Sequence, residues 1–255
     1  MKQFILSDEP DRKGQVHLKG NDYRYLVQVR RLAPGENFPV LLPNGSKAFV
    51  KVLSVNKHEL KGEVLPALGD NQTRIPPIIL FQAMPKGDKM DIIVRQAAEG
   101  GLSEIVPFVS EFSLGKRSFG NTNKFSRWER IIKEARQQSG SLTATKILQL
   151  KNIDEIFDYW DRIKTREPDT LGLLFHQIPL EKSSLHGYLK ECPGKVVLVI
   201  GPEGGFSESE TGRFLAAGFK ALVIGDTVLR TETAAVYAQA AVRILLLEKD
   251  FWKTK

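Results

Sequence analysis

The hydrophobic pattern changes character once along the chain. Up to about residue 70 the apolar positions come in short runs. Phe38-Pro39-Val40-Leu41-Leu42 stops at Pro43-Asn44-Gly45, the stretch 47–53 alternates, and 59–65 follows. This part reads as a small β-rich unit punctuated by turns. One helix interrupts it, capped near Asn21 or Asp22, carrying Tyr25, Leu26 and Val29 on one face and ending at Ala33-Pro34-Gly35. The polar stretch 68–74 reads as a linker, which divides the chain into domains 1–72 and 73–255.

Beyond the linker, continuous apolar runs alternate with helical periodicity. Strands are expected at 78–81, 105–109, 171–175, 195–200 and 221–224, and helices at 88–98, 127–137, 152–160 and 233–248. Asn152 caps one helix, and Ser207 with Glu210 forms a capping box for another. Strands that are apolar throughout and separated by helices indicate an α/β domain with a largely parallel sheet covered on both faces.

Composition narrows the class. With 255 residues, 42% hydrophobic and 26% charged, the chain lies in the globular regime and can bury its own core. No apolar run approaches the roughly 20 residues that cross a bilayer. Met1 to Asp8 turns acidic too early for a signal peptide, so a cytosolic protein without a membrane segment is expected. A single cysteine, Cys192, and the scattered His17, His58, His176 and His186 give no metal-ligand spacing. A net charge of +7 suits a polyanionic partner. The basic residues cluster, with Arg24, Arg30 and Arg31 in the first domain and Lys116, Arg117, Lys124, Arg127, Arg130 and Lys133 in the second.

Two segments carry candidate chemistry. In the first, the strand Val197-Leu198-Val199-Ile200 runs into Gly201-Pro202-Glu203-Gly204-Gly205 and then a capped helix. That order presents backbone amides and a helix N-terminus at the carboxyl edge of a sheet, where open α/β proteins bind ligands. The glycines alone would also suit a plain turn with φ > 0. The segment is neither Gly-x-Gly-x-x-Gly nor a P-loop. In the second, Ile224-Gly225 leads through Leu229-Arg230-Thr231-Glu232-Thr233-Ala234 into the closing helix. Thr231 and Glu232 could be only a cap and a dipole partner there. Two successive strands ending in glycine-bearing loops, however, would face each other across one cleft.

These two loops resemble the signature loops of the ribosomal RNA small subunit methyltransferase E family of the SPOUT class. Further segments fall in the family's order: Lys86-Gly87-Asp88-Lys89-Met90-Asp91, Gln96-Ala97-Ala98-Glu99, Ile105-Val106-Pro107, Arg127-Trp128, the stretch 134–140, and Val29-Arg30-Arg31-Leu32 in the first domain. The resemblance implies a small PUA-like β-barrel followed by a C-terminal SPOUT methyltransferase domain with a parallel sheet and a trefoil knot, usually as a homodimer. It implies S-adenosyl-L-methionine as cofactor and methylation of N3 of a uridine in small-subunit (16S) ribosomal RNA, within the assembled small subunit.

Carried onto this chain, the resemblance assigns cofactor contacts to Leu198, Ile200, Gly201, Pro202, Glu203, Gly204, Ile224, Gly225, Leu229, Thr231, Thr233 and Ala234. The clustering of basic residues puts the expected RNA contacts at Arg24, Arg30, Arg31, Lys116, Arg117, Arg127 and Arg130. Uridine N3 must lose a proton, for which a carboxylate or a polarising arginine near the base would serve, and Arg230 and Glu232 are the catalytic candidates. Arg230 and Glu232 would point to one side if the turn is extended there. Departures from the family stand at Gly100-Gly101, at Ser141, at Arg24 and Tyr25 where histidine is frequent, and at Arg30 in place of leucine. An inactive RNA-binding protein of the same fold, or a related enzyme acting on another RNA, are the alternative functions.

Overall fold

The computed structural model describes residues 4–66, 75–113, 122–177, 184–191 and 193–248. They form two compact units, one from within Met1–Gln72 with Arg136–Ala144, the other from within Thr73–Ala135 and Thr145–Lys255. The linker expected at 68–74, together with Lys116, Arg117 and Cys192, lies outside the described residues.

The first unit holds a five-stranded sheet of β1 (Phe4–Ile5), β2 (Gln15–Lys19), β3 (Asn37–Leu41), β4 (Lys47–Val55) and β5 (Glu59–Pro66), in the order β1-β3-β4-β5-β2. β1 runs parallel to β3 and the remaining pairs are antiparallel. Along β4, Ala48, Val50 and Val52 face inward between exposed neighbours, the period of two that marks a half-buried strand. The expected helix is shorter and of another kind. A turn of α-helix, α1 (Gly20–Tyr23), opens into a π-helical segment, Arg24–Val29. There the Arg30 amide donates to the Tyr25 carbonyl, five residues back. The wider turn rotates the apolar face, so Leu26 is fully buried whereas Val29, expected on the same face, is 69% exposed. The turn ends at Arg31, whose φ of 57° places it in the left-handed region.

The second unit is built on a largely parallel sheet. Its elements are β6 (Ile78–Ala83), α2 (Lys89–Glu99), β7 (Glu104–Val109), α3 (Thr122–Ser139) up to Ala135, β8 (Lys146–Ile147), β9 (Lys151–Asn152), α4 (Ile153–Arg166), β10 (Thr170–Phe175), α5 (Leu185–Leu189), β11 (Lys195–Ile200), α6 (Glu208–Ala216), β12 (Lys220–Leu222) and α7 (Thr231–Glu248). The order is β12-β10-β11-β6-β7-β8, with β9 also beside β7 and every recorded pairing parallel. All six residues of β6 and five of the six in β11 are buried, because helices cover both sheet faces.

Two apolar clusters result. One joins Leu80, Leu198 and Leu173 to α2, α3 and α7; the other joins Phe81, Val199 and Val197 to Trp160 and Phe214 of α4 and α6. Asn152 and Ser207 each complete a capping box, with Glu155 and Glu210 respectively. Each such cap is worth about 1 kcal/mol. β12 stops at Leu222, two residues short of the expected 221–224, so Val223 and Ile224 are released from the sheet. α7 begins at Thr231, two residues earlier than the expected 233.

Candidate active site

One cleft opens where β10, β11 and β12 end and α7 starts. Ile200 at the end of β11 and Gly201, Pro202, Glu203 and Gly205 of the loop after it line the cleft from one side; Val223, Ile224, Thr227, Val228 and Leu229 line it from the loop after β12; Thr231 and Ala234 belong to α7. The two glycine loops therefore share a cleft, but their strands are not neighbours. β10 lies between β11 and β12, and its exit residues Phe175, His176 and Gln177 complete the lining.

Local chemistry explains the first loop. The Gly205 amide donates to the Pro202 carbonyl at 3.0 Å, closing a tight turn. Gly205 has φ of +70°, whereas Gly201, Gly204 and Gly225 are not in the left-handed region. The left-handed role expected of the glycines thus falls on Gly205 alone. At Gly201 the constraint is space, since a Cβ there would stand 3.3 Å from the Phe206 ring and 3.4 Å from the Gly205 backbone.

A buried hydrogen-bond chain fixes this loop to α7. Gln82, fully buried on β6, donates through Nε2 to Thr231 Oγ1 at 3.0 Å and to the Ala83 carbonyl at 2.9 Å. Thr231 Oγ1 in turn donates to the Gly201 carbonyl at 2.6 Å. Three segments far apart in sequence are joined by one hydroxyl. Thr231 was legible as a signature residue; Gln82 was not, because an isolated polar residue in an apolar strand announces nothing about its partner.

Charge is organised around Lys89, at the start of α2. Its Nζ lies 2.7 Å from Glu203 Oε1 and 3.6 Å from Glu232 Oε2. The Lys86 amide also donates to Glu203, at 3.2 Å. The hydrogen bond to Glu203 holds the Lys89 ammonium above the usual lysine value despite partial desolvation. Burial pushes the Glu203 carboxyl up, but the hydrogen bond from Lys89, the backbone donors and the nearby positive charge outweigh it and leave it below the usual carboxylate range.

The catalytic candidates are placed differently from the expectation. The Ala234 amide donates to the Arg230 carbonyl, so the helix starts there and the segment from Arg230 to Glu232 is not extended. Arg230 is exposed at the N-cap position. Glu232 sits in the first helical turn with its side chain 17% exposed, favourably placed against the helix dipole. Neither lines the cleft as bounded above.

Among the expected cofactor residues, Ile200, Gly201, Pro202, Glu203, Ile224, Leu229, Thr231 and Ala234 line the cleft, while Gly204, Gly225 and Thr233 stand beside it without lining it. Leu198 does not reach it. It is fully buried in mid-strand between β10 and β6, and its side chain is part of the core.

The basic candidates divide in the same way. Arg24 and Arg31 are exposed, whereas Arg30 is half-buried with its guanidinium 5.8 Å from the centre of the Phe38 ring. On α3, Arg127 pairs with Asp91, which also accepts from Trp128 Nε1 at 3.0 Å, and Arg130 lies 3.9 Å from Glu134. The sequence placed only Glu129 within this cluster; Asp91 arrives from another helix.

The cleft suits a nucleoside-bearing cofactor on one structural ground. Among the described residues, the amides and carbonyls of residues 224–229 form no hydrogen bonds with other backbone groups. Of these residues Ile224, Thr227, Val228 and Leu229 line the cleft, beside the apolar Phe175 and the polar His176, Gln177 and Glu203, and backbone edges of this kind can pair with a planar heterocycle. Among the described residues no group of acidic, histidine or cysteine side chains is arranged to hold a metal ion, and no helix is long and apolar enough to cross a membrane.

The fold is that of known RNA methyltransferases. Residues 72–243 match the family model described as an RNA methyltransferase domain, and residues 18–65 match the RNA methyltransferase PUA domain. Ribosomal RNA small subunit methyltransferase E of Aquifex aeolicus is 32% identical over 91% of this chain and 95% of its own length, and that of Synechocystis sp. is 30% identical over 96% and 78%. A crystal structure of the Neisseria gonorrhoeae enzyme of that name, bound to S-adenosyl methionine, superposes with a TM-score of 0.80 at 28% identity, covering 96% of this chain and 98% of that one. This chain belongs to the ribosomal RNA small subunit methyltransferase E family.

Proposed function

We propose that this protein transfers a methyl group from S-adenosylmethionine to N3 of a uridine in small-subunit ribosomal RNA, acting on the assembled small subunit in the cytoplasm. The observation that carries the reading is the cleft at the carboxyl ends of β10, β11 and β12, where Thr231 at the head of α7 ties down the glycine loop and the backbone of residues 224–229 forms no backbone–backbone hydrogen bonds among the described residues. S-adenosylmethionine supplies the activated methyl group. The chain supplies orientation and proton handling. Gly201 and its neighbours admit the cofactor closely, and the backbone of residues 224–229 offers hydrogen bonds to its base. Glu232 accepts the N3 proton, and Arg230, exposed at the head of α7, stabilises the charge that develops on the uracil.

Arg24 and Arg31 of the first unit and Arg127 and Arg130 of the second contribute phosphate contacts; Arg30, stacked on Phe38, supports the first pair. The family's trefoil knot and homodimer belong to the same reading. The strand order is consistent with the first. The second is supported by a row of exposed apolar residues on α7, Tyr237, Ile244 and Leu247, with Ile92 on neighbouring α2.

The test is single-turnover transfer of labelled methyl to small-subunit particles lacking the modification, followed by nucleoside analysis. N3-methyluridine is the expected product, and Glu232→Gln should slow its formation by roughly 10² or more. Labelled ribose, labelled transfer RNA or no transfer at all would refute the reading.

A further inference from the structure

Lys89 stands where three parts of the site meet. It lies at the start of α2, beside Glu203 of the loop after β11 and Glu232 of the first turn of α7. These two carboxylates are the charged groups that face it, so one ammonium serves two negative charges from segments 114 and 143 residues away in sequence. The two distances are unequal in an informative way. At 2.7 Å Lys89 donates a hydrogen bond to Glu203. At 3.6 Å it balances the charge of Glu232 Oε2 without occupying that oxygen, which is buried and accepts no hydrogen bond among the described residues. The nearby ammonium offsets the cost of burying the carboxylate charge, and with no donor competing for that oxygen a group brought against it can hydrogen-bond there.

Within the function proposed above, we infer that Lys89 is a positioning residue for methyl transfer: it clamps Glu203 to Glu232 and so fixes the Glu232 carboxylate, free of a competing donor, for the substrate proton. Lys89 touches neither substrate nor reacting atoms and acts through Glu232. Removing it would leave Glu232 with an uncompensated charge in a poorly hydrated position, and the side chain would turn towards water or towards another donor. The glycine loop would keep its turn and the Thr231 bond, so cofactor binding would survive.

The experiment compares wild type, Lys89→Met and Lys89→Arg, each checked for a native circular dichroism spectrum. In the cofactor-free proteins, hydrogen exchange is read at residues 201–206 and 230–234. Lys89→Met should exchange faster in both segments and Lys89→Arg close to wild type, because only the clamp links them through charge. In single-turnover transfer to small-subunit particles, Lys89→Met should lose about 10-fold to 100-fold in rate with less than about 3-fold change in cofactor affinity or in the RNA concentration at half rate. Lys89→Arg should recover most of the rate. In a Glu232→Gln background, Lys89→Met should cost less than about 3-fold, since the group it positions is already gone. A wild-type rate or unchanged exchange in Lys89→Met would overturn the inference, as would a full additional loss in the Glu232→Gln background. If wild-type protein itself fails to methylate the particles, the functional reading falls, while the exchange comparison still decides whether the clamp exists.

Discussion

Replacing Thr231 by valine isolates the bond that holds the glycine loop to α7. The two side chains have nearly the same shape, so packing is preserved and only the hydroxyl is lost. That hydroxyl donates to the Gly201 carbonyl at 2.6 Å and accepts from Gln82 Nε2 at 3.0 Å, at a residue 4% exposed. In Thr231→Val one N–H of the fully buried Gln82 and the half-buried Gly201 carbonyl lose their partners. An unsatisfied buried group costs about 1–3 kcal/mol, and water can reach only the carbonyl, so the sum is about 2–4 kcal/mol. For a unit of this size that is a fall in Tm of about 5–15 °C by scanning calorimetry. Cofactor affinity should weaken about 10-fold or more by titration calorimetry, because the carbonyl that anchors the loop is released. Thr231→Ser keeps the hydroxyl and should lose only about 1 kcal/mol, the value of one methyl group. A Thr231→Val protein as stable as Thr231→Ser, with unchanged affinity, would refute the role given to this bond.

Gly201→Val should leave a folded protein with strongly reduced S-adenosylmethionine affinity, since even a Cβ crowds Phe206 and Gly205; near-normal affinity in an equilibrium titration would remove Gly201 from the site. Combined Arg30→Ala and Arg31→Ala should weaken RNA binding and reduce its salt slope by about 1 for each phosphate no longer neutralised, measured by filter binding across ionic strengths, without altering cofactor binding. Glu203 is held below the ordinary carboxylate value of 4.5. Its contribution to stability is therefore fully present above about pH 4.5 and is lost as pH falls through its lower native value. Thermal unfolding followed over pH 3–7 should show Glu203→Gln converging on wild type at the acid end; parallel curves would contradict this.

Much of this architecture was readable from local pattern. The parallel sheet follows from strands that are apolar throughout, and the capping boxes at Asn152 and Ser207 follow from side chains that satisfy amides three residues away. The two loops were recognisable because a glycine turn and a helix start impose their chemistry over six or seven consecutive residues. Where local rules compete, the reading slipped. The π-turn at Arg24–Val29 exposes Val29 because the wider turn is decided by how the first unit's core receives Leu26, and β12 ends at Leu222 because its partner strand β10 ends opposite it, at Phe175.

What only the tertiary structure decided is how groups distant in sequence meet. Gln82, Thr231 and Gly201 form one hydrogen-bond chain, Lys89 stands between Glu203 and Glu232, and Asp91 takes up Arg127. None of these pairings has a sequence period, since each depends on which strands are neighbours and how far each helix begins from the sheet edge. The intervening β10 makes the same point: the sequence shows two loops of one kind, but only the packed sheet order puts a third strand between them and gives the cleft the remainder of its lining.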